Sequence, residues 1–208
     1  MLNIAVLVSG GGTNLQALID SERNGEIKNG KIVRVISSKA DAYAIERAKK
    51  VGIPAVVVER KKYENSQQYD EAILSALEES KADLVVLAGF MSILGASVIR
   101  KYENKIINIH PALIPSFCGK GFYGLKVHEA ALEKGVKVTG ATVHFVNEIA
   151  DDGAIILQEC IKVNDDDTPQ TLQRRVMENI EWKILPKAVS LFCEGKIEVV
   201  GSKTKIKE

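Results

Sequence analysis

The stretch Leu2–Leu18, LNIAVLVSGGGTNLQAL, decides the fold. Leu2–Val8 is an apolar run of strand length. SGGG interrupts it, and TNLQAL opens a helical pattern. A buried strand that ends in glycines and passes at once into a helix is the first βα unit of a parallel sheet covered on both faces. The alternation continues: Lys31–Ser37 (KIVRVIS), Ala55–Val58 and Asp83–Ala88 (DLVVLA) are further short runs rich in β-branched residues. Between them, Tyr69, Ile73, Leu74 and Leu77 recur at helical spacing within Tyr69–Glu79.

The second half changes character. Val138–Val146 (VTGATVHFV) and Ile155–Val163 (IILQECIKV) are strand-like, and NEIADDGA joins them. This predicts an antiparallel hairpin added to the parallel sheet. Thr171–Leu185 reads as one helix with Leu172, Val176, Ile180 and Leu185 on one side. Thr168 or Thr171 is its expected cap, and Pro186 should end or kink it. The tail GSKTKIKE, residues 201–208, should fray. The expected architecture is a single α/β domain over residues 1–208. Its sheet is mostly parallel and twisted, Rossmann-like in the first half, with antiparallel strands late in the chain and helices on both faces.

Composition narrows the partners. The chain has 208 residues, 46% apolar and 26% charged, with a net charge of +1. That balance gives no bulk attraction for nucleic acid or a membrane surface. No basic region precedes the first apolar run, and no cleavage pattern follows it. A cytoplasmic protein acting on small molecules, as a monomer or homodimer, is expected. Cys118, Cys160 and Cys193 are odd in number and form no CxxC pair, which argues against a disulfide framework or a zinc site.

Ser9–Leu18, SGGGTNLQAL, has the chemistry of an anion site. Glycines allow close approach of the backbone, and the first amides of the helix face outward with the positive end of the dipole. Thr13 and Asn14 can add side-chain donors. The loop lacks the lysine of a P-loop and the GxGxxG spacing, so a phosphate monoester suits it better than a dinucleotide.

The second polar feature lies in Ile106–Pro115, IINIHPALIP. Asn108 and His110 are two residues apart on a strand, so they share a face. Pro111 stops the ladder there, at the carboxyl end where open α/β sheets bind ligands. An amide can donate to a carbonyl oxygen gaining negative charge, and an imidazole can move a proton. A carboxylate near His110 should raise its pKa; Glu148, Asp151 and Asp152 in the hairpin turn are the candidates. His144, on the alternating run ATVHFV, should support the site. His128 reads as a solvated or capping residue, and Cys118 as a loop thiol without a role in the mobile segment SFCGKGFYG. No Ser, Cys or Lys nucleophile stands in an activating setting, which favours direct acyl transfer between two bound substrates.

Together SGGGTNLQAL, LAGFMSIL, INIHPALIPSF, VHFVNEIADDGAIILQ and the E–x4–P of EWKILP resemble the glycinamide ribonucleotide formyltransferase family of purine synthesis. The likeness runs from Met1 to about Val200. It implies a formyltransferase fold and transfer of a formyl group from the co-substrate 10-formyltetrahydrofolate to the amine of 5-phosphoribosylglycinamide, with no metal. It implies catalytic roles for Asn108, His110 and Asp151. Gly11, Gly12, Thr13 and Asn14 would hold the phosphate, and Glu181 the glycinamide end. Ser66, Met91, Ser92, Ile93, Leu94, Asn108, Val146 and Asn147 would meet the folate. Departures from the family pattern are Ser92 and Ser66 in place of basic residues, Asp152 after the aspartate, Cys118 in place of proline, and Trp182 after Glu181. The two serines bear on the grip on the folate's glutamate tail.

Two other readings differ in what they leave unused. A formyltetrahydrofolate hydrolase or a methionyl-tRNA formyltransferase shares these pieces, but the first carries an N-terminal regulatory domain and the second a basic C-terminal one. A strand beginning at Leu2 and a last strand-like run ending at Val200 speak for neither. A non-catalytic nucleotide-binding module accounts for SGGG alone and leaves the Asn–x–His pair and the acidic turn unexplained.

Overall fold

The computed structural model describes residues 1–207. Five parallel strands form its first half: β1 (Leu2–Val8), β2 (Gly30–Ser37), β3 (Ala55–Val57), β4 (Leu84–Leu87) and β5 (Ile106–His110). The helices between them are α1 (Thr13–Arg23), α2 (Tyr43–Lys50), α3 (Ser66–Glu79) and α4 (Ala96–Lys101). After α5 (Leu125–Lys134), the antiparallel pair β6 (Val138–Phe145) and β7 (Ile155–Lys162) extends the sheet. Then come α6 (Pro169–Val176), α7 (Trp182–Cys193), β8 (Ile197–Val200) and β9 (Lys203–Ile206). The nine strands run in the order 3-2-1-4-5-6-7-9-8.

That order locates the crevice. β1 is flanked by β2 on one side and β4 on the other. The chain winds outward from β1 to β3 and then returns to β4, so the connections after β1 and β4 diverge to opposite faces. In open sheets of this kind, ligands bind in the crevice between those carboxyl ends. The loops after β1, β4 and β5 all emerge there.

Two apolar layers hold the sheet. Ile4, Val6 and Val8 project to one face, where they pack with Leu15 and Leu18 of α1 and Ile184, Leu185, Ala188 and Val189 of α7. Ala5 and Leu7 project to the other, against Tyr69, Ile73 and Leu77 of α3 and Val98 of α4. All five strand residues are fully buried. Truncating a buried Ile or Leu such as Ile4 or Leu7 to alanine typically costs about 2–5 kcal/mol. The strand framework is therefore rigid enough to position side chains at its ends.

Two expectations fail. The single helix expected over Thr171–Leu185 is two α-helices separated by a π turn, Met177–Glu181, and Pro186 lies inside α7 without ending it. Proline cannot bond the carbonyl four residues back and presses against it. Here that carbonyl belongs to Trp182, where α geometry restarts after the wide turn, so the mismatch falls beside a loosened segment. Thr168 does cap α6, in a reciprocal capping box with Thr171. The tail expected to fray instead pairs: β9 runs antiparallel to β8 across Gly201–Ser202, with Gly201 at φ +60°, and Thr204 Oγ1 donates to the Ile155 carbonyl (2.7 Å). The short hairpin needs only a left-handed glycine, a signal the polar composition hides. Glu208 lies outside the described residues.

Candidate active site

The glycine loop has the conformation an anion needs. Gly12 sits at φ +69°, immediately before α1, and a Cβ there would lie 2.6 Å from the Ala44 Cβ. Only glycine fits both the left-handed backbone and the contact with α2. Gly10 and Gly11 instead border open space. The first turn of α1 holds no acidic residue and receives no side-chain cap, which leaves its amides for a ligand. Arg47 of α2 braces the loop from behind: its Nε donates to the Gly11 carbonyl (2.8 Å) and Nη1 to Gln16 Oε1 (3.0 Å).

Thr13 and Asn14 meet the π turn. Thr13 Oγ1 donates to Met177 Sδ (3.2 Å), and Asn14 Nδ2 donates to Glu181 Oε2 (2.7 Å). Glu181 and Asn14 are both buried, and Asn14 Oδ1 is a buried acceptor without a partner among the described residues. Burial pushes the Glu181 carboxyl up, against the donation from Asn14. Glu181 thus stands over the first turn of α1 rather than in solvent.

Ser9 joins this loop to the next one. Its Oγ accepts from the Met91 amide (2.8 Å) and shares a 2.6 Å hydrogen bond with Ser38 Oγ. The chain after β4 is thereby held beside the glycine loop. Of its candidates, Met91 and Ile93 are exposed, Ile93 at 89%, whereas the Leu94 side chain is buried in the second apolar layer. Ser92 lies next to the buried Tyr69 hydroxyl, whose pKa burial raises and Ser92 opposes. Ser66, at the start of α3, is exposed and accepts from Arg60 Nη2 (3.4 Å). Val146 packs against the second layer. Asn147 shapes the hairpin turn: its Oδ1 accepts from the Ile149 amide (3.0 Å) and its Nδ2 donates to Asp152 (3.3 Å). Its side chain is thus engaged within the turn.

The polar cluster forms at the β5–β6 pairing. Asn108 lies opposite His144, and His110 opposite Thr142. Thr142 Oγ1 donates to the Ala112 carbonyl (2.7 Å) and accepts from the Ile114 amide (3.1 Å), which fixes the turn after His110. His144 Nδ1 lies 2.7 Å from the Phe145 carbonyl, which can only accept, so Nδ1 carries a proton. In the neutral ring Nε2 therefore accepts from Asn108 Nδ2 (3.1 Å), and the second amide proton of Asn108 has no partner among the described residues.

Among the three acids of the hairpin turn, Asp151 reaches this cluster. Its Oδ2 lies 3.6 Å from His110 Nδ1 and its Oδ1 3.6 Å from His144 Nε2. Asp151 itself takes a left-handed backbone, φ +56°, which turns the side chain inward. Glu148 instead pairs with Arg100 at the surface, and Asp152 receives Asn147. Burial is the strongest single influence on the Asp151 carboxyl and pushes it up. His144, the Gly119 amide and His110 together outweigh that and hold it below its ordinary value.

His110 departs from expectation. The carboxylate does raise its pKa, as does the Phe117 carbonyl, but burial is the larger influence and the net shift is downward. His110 is 4% exposed, so its charged form loses most of its hydration. His128 also departs: it is fully enclosed, with neither ring nitrogen hydrogen-bonded among the described residues. Burial pushes its pKa down to about 4, and the nearby His110 acts in the same direction. Its place one turn inside α5, on the face with Val127 and Ala131, was the available signal.

The segment expected to be mobile is tied to the cluster at two points: the Phe117 carbonyl lies 2.8 Å from His110 Nε2, and the Gly119 amide donates to Asp151 Oδ2 (2.9 Å). These are backbone groups, which residue types cannot announce. Ser9, Arg47 and Met177 are further contributors that sequence reasoning missed. Ser9 alone had a signal, since it heads the glycine loop.

Residues 2–189 match the family model described as formyl transferase. The chain is 42% identical over 199 residues to the phosphoribosylglycinamide formyltransferase of Haemophilus influenzae, covering 96% of this chain and 91% of that one. It is 47% identical over 196 residues to the trifunctional purine biosynthetic protein adenosine-3 of Homo sapiens, covering 94% of this chain but spanning only 19% of the relative's length. Among solved structures, the glycinamide ribonucleotide transformylase 1 of Symbiobacterium toebii superposes with a TM-score of 0.94 at 41% identity, over 100% of this chain and 95% of that one. The chain belongs to the formyl transferase family.

Proposed function

We propose that the chain transfers a formyl group from 10-formyltetrahydrofolate to the amine of 5-phosphoribosylglycinamide, giving the N-formyl product and tetrahydrofolate. One observation carries this reading: Asn108, His110 and Asp151 converge at the carboxyl end of β5, the same end of the parallel sheet from which the open, glycine-lined loop after β1 emerges. The loop at Gly11, Gly12, Thr13 and Asn14 suits the ribose phosphate, and the buried Glu181 suits the glycinamide end. The lip formed by Met91 and Ile93, with Val146 behind, offers apolar surface for a flat bicyclic ring.

The chemistry follows from the cluster. His110 starts neutral, because burial lowers its pKa. Its Nδ1 takes the proton that the substrate amine must lose. The amine nitrogen bonds to the formyl carbon, and the free N–H of Asn108 donates to the oxygen that gains charge. The imidazolium so formed is stabilised by Asp151 and adds a second donor to that oxygen. As the bond from the formyl carbon to the folate nitrogen N10 breaks, His110 returns the proton to N10, so protons and electrons balance. His144 holds the Asn108 amide in its donating orientation. Phosphate binding at a distance orients the amine. An assay with the two proposed substrates, following tetrahydrofolate release, tests the reading. Release that depends on phosphoribosylglycinamide supports it. Release in its absence indicates hydrolysis instead.

A further inference from the structure

The turn Phe117–Gly119 touches both members of the proton-handling pair, and both contacts are made by its backbone. Phe117 lies at φ +49° and Gly119 at φ +82°. A left-handed conformation costs a phenylalanine about 1–2 kcal/mol, so something must hold it. The Phe117 ring packs edge-on to Phe122 with centroids 6.3 Å apart, and Cys118 Sγ donates to the Pro115 carbonyl (3.3 Å). The turn is thus fixed from both sides of Cys118.

Its two contacts have definite chemical consequences. A carbonyl oxygen only accepts, so the Phe117 carbonyl requires a proton on His110 Nε2 in every charge state of the ring. The exchangeable proton is then confined to Nδ1, the nitrogen 3.6 Å from Asp151. The Gly119 N–H in turn donates to Asp151 Oδ2, which favours the ionised carboxyl. Among the described residues no other group hydrogen-bonds to His110 Nε2, and neither ring nitrogen of the nearby His128 has a partner there.

We infer that the Phe117–Gly119 turn is a positioning element for formyl transfer, whose backbone selects Nδ1 of His110 as the proton-exchanging atom and keeps Asp151 ionised and aimed at it. This rests on the reading of His110 and Asp151 given above.

The test has a part that needs no turnover. In protein labelled with 15N-histidine, His110 of the free enzyme at pH 8 should show the Nε2–H tautomer. An Nδ1–H tautomer would overturn the inference even if His110→Ala proved His110 essential. Kinetics supply the second part. Gly119→Ala has room for its Cβ, whose nearest neighbour is the Ala150 carbonyl at 4.0 Å, but the methyl disfavours φ +82°. It should lower kcat about tenfold or more, with KM values changed far less, and move the acid limb of the pH profile to lower pH, because a less firmly held Asp151 raises the His110 pKa less. In the Asp151→Asn background the same change should cost almost nothing, because the group it serves is gone. A fully additive loss with an unmoved pH profile would reduce the turn to scaffolding. Should Gly119→Ala fail to fold, the tautomer of the unmodified enzyme decides alone.

Discussion

The two ends of the cleft are built in opposite ways. At the glycine loop, six consecutive residues, Ser9–Asn14, form the proposed anion site, whose chief donors would be backbone amides at a helix start. At the end of β5, one or two groups come from each of four separate places: β5, β6, the hairpin turn and the loop before α5. An anion needs only local backbone conformation. A proton-transfer centre needs several titratable groups whose environments are set against one another, which no contiguous segment provides.

The contrast can be broken most forcefully at the convergent end. Asn108→Ala and His110→Ala should each lower turnover on the order of 10²–10³-fold, with the fold intact by circular dichroism. Losses confined to KM would mean that the cluster only binds.

The enclosed His128 gives the next largest effect. Its pKa of about 4 lies below the ordinary 6.5. The unfolded chain therefore binds the proton first as pH falls, and stability drops between about pH 6.5 and 4. The drop amounts to on the order of 3 kcal/mol. His128→Leu should flatten that acid loss in denaturant titrations, and an unchanged slope would show that other groups carry it.

At the local end, Gly12→Ala forces a methyl onto Ala44 in a left-handed backbone and should cost about 1–3 kcal/mol of stability. Gly11→Ala, which borders open space, should leave the melting temperature almost unchanged while raising KM for the phosphorylated substrate. Equal thermal effects of the two would contradict the distinction drawn between them.

The smallest effect is a displacement on the pH axis. His110 must start neutral, so kcat/KM should fall only below a pKa lower than 6.5. Asp151 raises that pKa, and Asp151→Asn should therefore move the limb of the residual activity to still lower pH. An upward movement would reverse the assigned electrostatics.

The same contrast explains what the sequence reveals. The βα alternation, the glycine loop and the Asn–x–His pair are local patterns, and each is found where its spacing predicts. The hairpin turn offered three acids, and only the left-handed backbone at Asp151 and the β5–β6 register separate the one that reaches His110. The π turn, the continuation of α7 through Pro186 and the β8–β9 hairpin depend on accommodations between neighbours that residue types alone do not record. The downward shift of the His110 pKa needed the depth of burial, which sequence spacing does not supply.

The central claim is that the Asp151 carboxylate works with His110 on the reacting carbonyl. Single-turnover formyl transfer by Asp151→Asn, with both substrates saturating and folding checked by thermal melting, tests it most directly. The account predicts a rate reduced at least on the order of 10²-fold in a protein that melts normally. A rate within a few-fold of the unmodified enzyme would contradict it.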